Sequence, residues 1–255
     1  MLLSLLFGCL DSLLEAPYVL TTGLSEARSI TPTPRRTMMI ATPQGVIEIE
    51  GSGQHHPLTD QPVLSVATHA SSVYLLTDSA LQWGTLPPLG ERLTILSSLP
   101  VSGIVDIQSW CEQRVLLAGA KGLQVWTPAT GIIEDFHAPL PPLHAVSLPA
   151  IDPCGGVVVL TEDALIEISR DGQKRHPVEH PRVATPGRDG HIWVIHGQPP
   201  VLSRLEEAGL VLRARHLGDP RDAHFGNGEL FSPSNLYLAD ASGTLDYARV
   251  ITEPP

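Results

Sequence analysis

The chain has 255 residues, of which 42% are hydrophobic and only 17% charged, with 22 Gly and 24 Pro. That composition suits one large domain of many short strands joined by tight connections, and it excludes an architecture of long helices. A formal charge of −11, from 16 basic and 27 acidic residues, gives no footprint for nucleic acid or for an anionic membrane surface.

Residues 1–15 begin MLLSLLFGCLDS, an apolar run ended by Asp11. Spanning a bilayer takes about 20 apolar residues, so this run is too short to cross. Leu6-Phe7-Gly8-Cys9 resembles the lipobox of bacterial lipoproteins, where a small residue precedes the cysteine that becomes lipidated. The resemblance implies a signal or anchor, with a lipid on Cys9 as membrane tether. Read by spacing alone, the same stretch is a short amphipathic helix with Leu2, Leu6, Leu10, Leu13 and Leu14 on one face. Residues 16–255 are expected to form the folded domain.

One pattern recurs six times in that domain. An apolar run, a turn and a second run appear as MMIATPQGVIEIE from Met38, VYLLTDSALQW from Val73, VLLAGAKGLQVW from Val115, VVVLTEDALIEI from Val157, IWVIHGQPPVLSRL from Ile192 and LYLADASGTLDY from Leu236. Their spacings are 35, 42, 42, 35 and 44 residues (38 to 73, 115, 157, 192 and 236). A period near 40 built from short strands is the blade of a β-propeller, whose sheet cannot bury both faces without neighbours. The fold class is therefore all-β: a six-bladed propeller of four-stranded antiparallel blades.

Within each copy, turns such as Pro43-Gln44-Gly45 and Ala120-Lys121-Gly122 make a hairpin of the second and third strands. The runs ahead of it, Val63 to Ala67, Ile104 to Gln108, Ala145 to Leu148, Arg182 to Thr185 and Ala223 to Phe225, are expected as inner strands lining the channel. Polar runs such as Leu93 to Ser97, Ile132 to Phe136 and Leu210 to Arg215 are expected as outer strands, with charges that guard the exposed edge. A column of large side chains, Ile49, Trp83, Trp126, Ile168, Leu205 and Tyr247, is expected as inter-blade core. The sixth copy ends too soon for its own outer strand. Tyr18 to Thr22 is expected to supply it and close the ring, with Ser29 to Thr31 starting the first blade.

Cys111 and Cys154 precede the third and fourth copies at nearly the same point. They suit either a bridge between neighbouring blades or two buried thiols.

VLLAGAKGLQVWTPATG (Val115 to Gly131) and VYLLTDSALQW look like the propeller repeats of two-component-regulator sensor domains. Arg188-Asp189-Gly190-His191-Ile192-Trp193-Val194-Ile195 is similar to the Asp-Gly-x-Ile-Trp-Val core of that family and of NHL-type and virginiamycin-lyase-type propellers. The resemblance covers roughly residues 17 to 250. It implies the fold; such rings include sensors, scaffolds and enzymes. No Trp-Asp pair of WD repeats occurs. The gluconolactonase metal set does not carry over either, since the only asparagines are Asn227 and Asn235.

No catalytic motif is present. His55, His56 and His69, the pair His176 and His180, and the pair His191 and His196 lack convincing ligand geometry, so neither metal nor cofactor is expected. His69, Trp110 and Asp152 end successive inner strands and are candidates for one rim of the channel. Two functional expectations follow. The first is a non-catalytic interaction or scaffold module of the bacterial cell envelope, periplasmic or membrane-anchored, with a protein or glycan partner. The alternatives are a channel-mouth enzyme of the lactonase or lyase type and, for location, the cytoplasm.

Overall fold

A computed structural model describes residues 18–136, 140–149, 151–187, 189–215, 217–225 and 235–249. Its strands form six four-stranded antiparallel sheets arranged as the blades of a propeller. Blades 1 to 5 each take four consecutive strands; in blade 3 these are Ile104–Ser109, Val115–Gly119, Gly122–Thr127 and Ile132–Asp135. The innermost strands are Ser29–Pro32, Ser65–His69, Ile104–Ser109, Ala145–Ser147, Pro181–Pro186 and Pro220–Phe225.

Blade 6 is composite. Its outer strand is Tyr18–Thr21, antiparallel to Leu245–Arg249, so the ring is closed by the N-terminal strand. The Leu24 amide donates to the Gly243 carbonyl at 3.0 Å just after that strand. The edge of Leu245–Arg249 is thereby covered by an outer strand, as the third strand of each other blade is.

Each seam between neighbouring blades holds its own apolar cluster, and strand alternation explains which residue goes where. In the second strand of blade 3, Val115 and Leu117 face blade 2 beside Tyr74 and Leu76. Leu116 and Ala118 face blade 4 beside Val157 and Val159. Successive side chains point to opposite faces, and both faces are covered, so all five residues of this strand are buried. That is why the repeat reads as a continuous apolar run rather than as alternation.

The same parity places the expected core column. Ile49, Trp126, Ile168 and Leu205 are buried and pack toward the preceding blade. Trp83 and Tyr247 are half-buried. They pair with Tyr74 and Tyr237, the second residues of the apolar runs that start at Val73 and Leu236, and face the following seam. A shift of one residue turns a side chain to the other face.

Candidate functional site

The inner strands run parallel to the channel, so their N-terminal ends surround one mouth and their C-terminal ends the other. The turns between second and third strands share the first mouth. Pairing with the second strands aligns the inner strands: Ser29, Ser65, Asp106, Ala145, Val183 and Asp222 lie opposite Ala41, Leu76, Ala118, Leu160, Ile195 and Ala239.

This layer forms a polar belt. An innermost strand turns unpaired amides toward the channel, and buried amides require acceptors. Asp222 of blade 6 accepts the Ile30 amide of blade 1 at 2.7 Å. Ser29 accepts the Val66 amide of blade 2 at 3.4 Å, and Ser65 the Ile107 amide of blade 3 at 3.4 Å. Asp106 of blade 3 accepts the Val146 amide of blade 4 at 2.9 Å and the Ser65 hydroxyl at 2.7 Å. Each side chain thus fastens its blade to the next. Burial pushes the carboxyl of Asp106 up to about 6, against the pull of the Val146, Ser65 and Ile107 donors. Burial, then the charge of Asp106, pushes Asp222 up to about 7.

One residue nearer the mouth, the corresponding positions are Arg28, Leu64, Val105, His144, Arg182 and Arg221. Together with the belt carboxylates they line a pocket of about 100 Å³ at the channel centre. Val105, Arg182 and Arg221 each sit where the ladder register shifts, a bulge of the kind that re-aims a side chain. Asp219 pairs with Arg182 and lies 3.4 Å from Arg221. His144 bonds the Pro181 carbonyl at 2.8 Å. A cleft of about 530 Å³, lined by His144, Glu162, His180, Arg182, Asp219 and Arg221 among others, opens beside it.

The opposite face carries the loops that follow the inner strands. There Cys111 and Cys154 form a disulfide, with Cα atoms 5.5 Å apart, joining blades 3 and 4. Trp110 lies at the same junction: its indole N–H donates to the Pro153 carbonyl at 3.0 Å and the Arg114 guanidinium stacks 4.4 Å above its ring. Asp152 belongs to the same loop pair, with its backbone at φ 50°.

The histidines of the sequence reading are not brought together. His55 and His56 lie on the outer strand of blade 1, bonded to Thr21 and Glu50, whereas His69 ends the inner strand of blade 2. His176 pairs with Glu167 at 2.7 Å, and His180 borders the cleft. His191 bonds the Leu205 carbonyl and His196 the Ser203 hydroxyl. Among the described residues no group of three or more His, Cys, Asp or Glu is placed to hold a metal ion. Asn235 bonds the Tyr237 hydroxyl at 3.4 Å. Cys9 and Asn227 lie outside the described residues. No described helix is long and apolar enough to cross a membrane.

The arginines of the mouth escape a reading that aligns hairpins. Their signal is a register signal: each immediately precedes the belt position of its inner strand.

No protein-family model matches this chain, and no curated protein does. Solved structures do match. The chain is similar to a streptogramin B lyase at 10% identity and a TM-score of 0.66, covering 92% of this chain and 98% of that one. Virginiamycin B lyase from Staphylococcus aureus matches at 14% identity and a TM-score of 0.60, over 92% and 99% of the two chains. The likeness is one of fold. It extends, at 12% identity and a TM-score of 0.59, to the extracellular domain of a hybrid two-component system from B. thetaiotaomicron, over 90% of this chain and 40% of that one.

Proposed function

We propose that this propeller is a non-catalytic binding module of an oxidising compartment, presenting the mouth ringed by Arg28, His144, Arg182 and Arg221 to its partner. The observation that carries the reading is the use made of the channel carboxylates. Asp106 and Asp222 accept backbone amides of neighbouring blades, so their oxygens are committed to bracing the ring. The disulfide supports a location outside the reducing cytosol, since such bonds persist in secreted, periplasmic and surface proteins. A lipid on Cys9 would hold the ring at a bacterial envelope.

The second reading is a channel-mouth enzyme of the lyase type. Its support is that Asp106 and Asp222 lie near 6 and 7, where a carboxyl serves as general acid or base around neutral pH. The test is affinity capture with cross-linking of the tagged chain, exported in a bacterial host, alongside intact-mass analysis of Cys9, Cys111 and Cys154. Capture of one specific protein or glycan supports the module. Turnover of a lactone or cyclic depsipeptide that is lost in Asp222→Asn would replace it with the enzyme.

A further inference from the structure

We infer that the mouth of the channel is a binding site for a small organic anion with a carboxylate head and an apolar body. The inference rests on the binding-module reading and names the class of ligand.

The six mouth positions divide into two arcs. Blades 4, 5, 6 and 1 contribute His144, Arg182, Arg221 and Arg28, while blades 2 and 3 contribute Leu64 and Val105. The chain as a whole carries a formal charge of −11, so gathering three guanidinium groups in one ring layer runs against its overall field.

Those cations are incompletely neutralised by protein groups. Asp219 serves both Arg182 and Arg221, Asp240 adds its charge near Arg221, and Glu162 is the other acidic side chain on the cleft. The Arg28 guanidinium has no hydrogen-bond or ion-pair partner among the described residues, although it lines the central pocket and the residue is half-buried. The belt carboxylates below make no ion pair with the arginines, because they accept amide and hydroxyl donors instead. A half-buried guanidinium with unfilled donors is suited to a planar oxyanion, which it binds through a fork of N–H groups.

The opposite arc supplies apolar surface. Val105 is 46% exposed at its bulge, and Leu64 is half-buried beside it. A pocket of about 100 Å³ accepts a carboxylate-sized head, with Leu64 and Val105 on its wall to meet the start of an apolar body. A cationic arc facing an apolar arc selects for both features of such an anion.

The test is isothermal titration of the full, oxidised chain with hexanoate, hexanol and inorganic phosphate. Hexanoate is expected to bind saturably at one site, and hexanol at least about tenfold more weakly. Arg28→Gln and Arg221→Gln, each checked for unchanged melting, should weaken hexanoate about tenfold, the loss of one charged hydrogen bond. Arg92→Gln, which removes an exposed pair with Asp60 that lines neither the pocket nor the cleft, should leave binding unchanged. The inference is overturned if hexanoate fails to saturate by about 10 mM. Hexanol binding equally well, phosphate binding in place of hexanoate, or both mouth variants binding like wild type would overturn it too. Specific partner capture that survives with no anion binding leaves the binding-module reading standing, whereas turnover would remove that reading itself.

Discussion

Replacing Cys111 and Cys154 together by serine opens a cross-link between residues 43 apart in sequence. In the chain-entropy treatment, closing a loop of that length removes freedom from the unfolded chain worth about 4 kcal/mol at 25 °C. The native loops return part of this when cut. Glu112, Gln113 and Asp152 hold backbone φ of 60°, 60° and 50°, a left-handed region that costs a non-glycine residue about 1 kcal/mol or more. Loops freed from the cross-link can relax some of that strain. The indole bond from Trp110 to Pro153 and the six packed seams remain, so the ring should stay folded. The expected net loss is about 2–4 kcal/mol, and for a domain of this size a fall in Tm of about 10 °C. Thermal melts followed by circular dichroism, with and without reductant, provide the assay. Reduced wild type and the double variant should melt together, and oxidised wild type well above both. Coincident melts for oxidised and reduced wild type would refute the reasoning, as would alkylation of both cysteines without reductant.

The belt carboxylates make a pH prediction of definite sign. Because Asp106 and Asp222 are raised in the folded ring, folding binds protons. Their contribution to stability is full below about pH 4 and is lost as pH rises through about 6 and 7, of the order of 3 kcal/mol for Asp106. Burial lowers His196 and His224, whose contribution instead disappears as pH falls below the usual histidine range, so the useful readout is a difference between proteins. The destabilisation caused by Asp222→Asn, measured by urea titration, should shrink between pH 5 and pH 8; a cost that grows with pH would refute the assignment. Trp126 is 2% exposed, meets Tyr74 edge-on at 6.0 Å and leaves its buried indole N–H unpaired. Trp126→Ala should therefore cost about 3–5 kcal/mol and Trp126→Phe far less, since phenylalanine removes the orphaned donor; equal losses would contradict this. Deleting residues 1–24 strips the closing strand from Leu245–Arg249 and should yield aggregation on mild heating, seen by light scattering. An equally heat-stable, monomeric truncation would show that the closure is dispensable.

What was legible before folding was whatever repeats locally. The run Val115 to Gly119 and its copies announce a strand covered on both faces, and the hairpin turns announce its partner. The missing outer strand after Tyr247 pointed to Tyr18 to Thr22, because an incomplete blade needs an edge from elsewhere in the chain. The spacing carried the parity of Trp83, which comes one residue early and faces the other seam, but not that of Tyr247, which keeps the common spacing of eleven residues and faces the following seam as well.

The mouth was not legible in the same way, for a physical reason. Arg28 and Arg221 are nearly 200 residues apart, one just before an inner strand and the other at the start of one, and only ring closure makes blades 6 and 1 neighbours. The bulges that re-aim Arg182 and Arg221 are properties of strand pairing. Asp106 reads as an ordinary water-facing residue until the amide of Val146 arrives from the next blade. Local residue pattern sets the blade, because each strand's burial depends on its own alternation. The charge of the mouth and the strained protonation of its carboxylates belong to the closed ring, because burial and proximity exist only there.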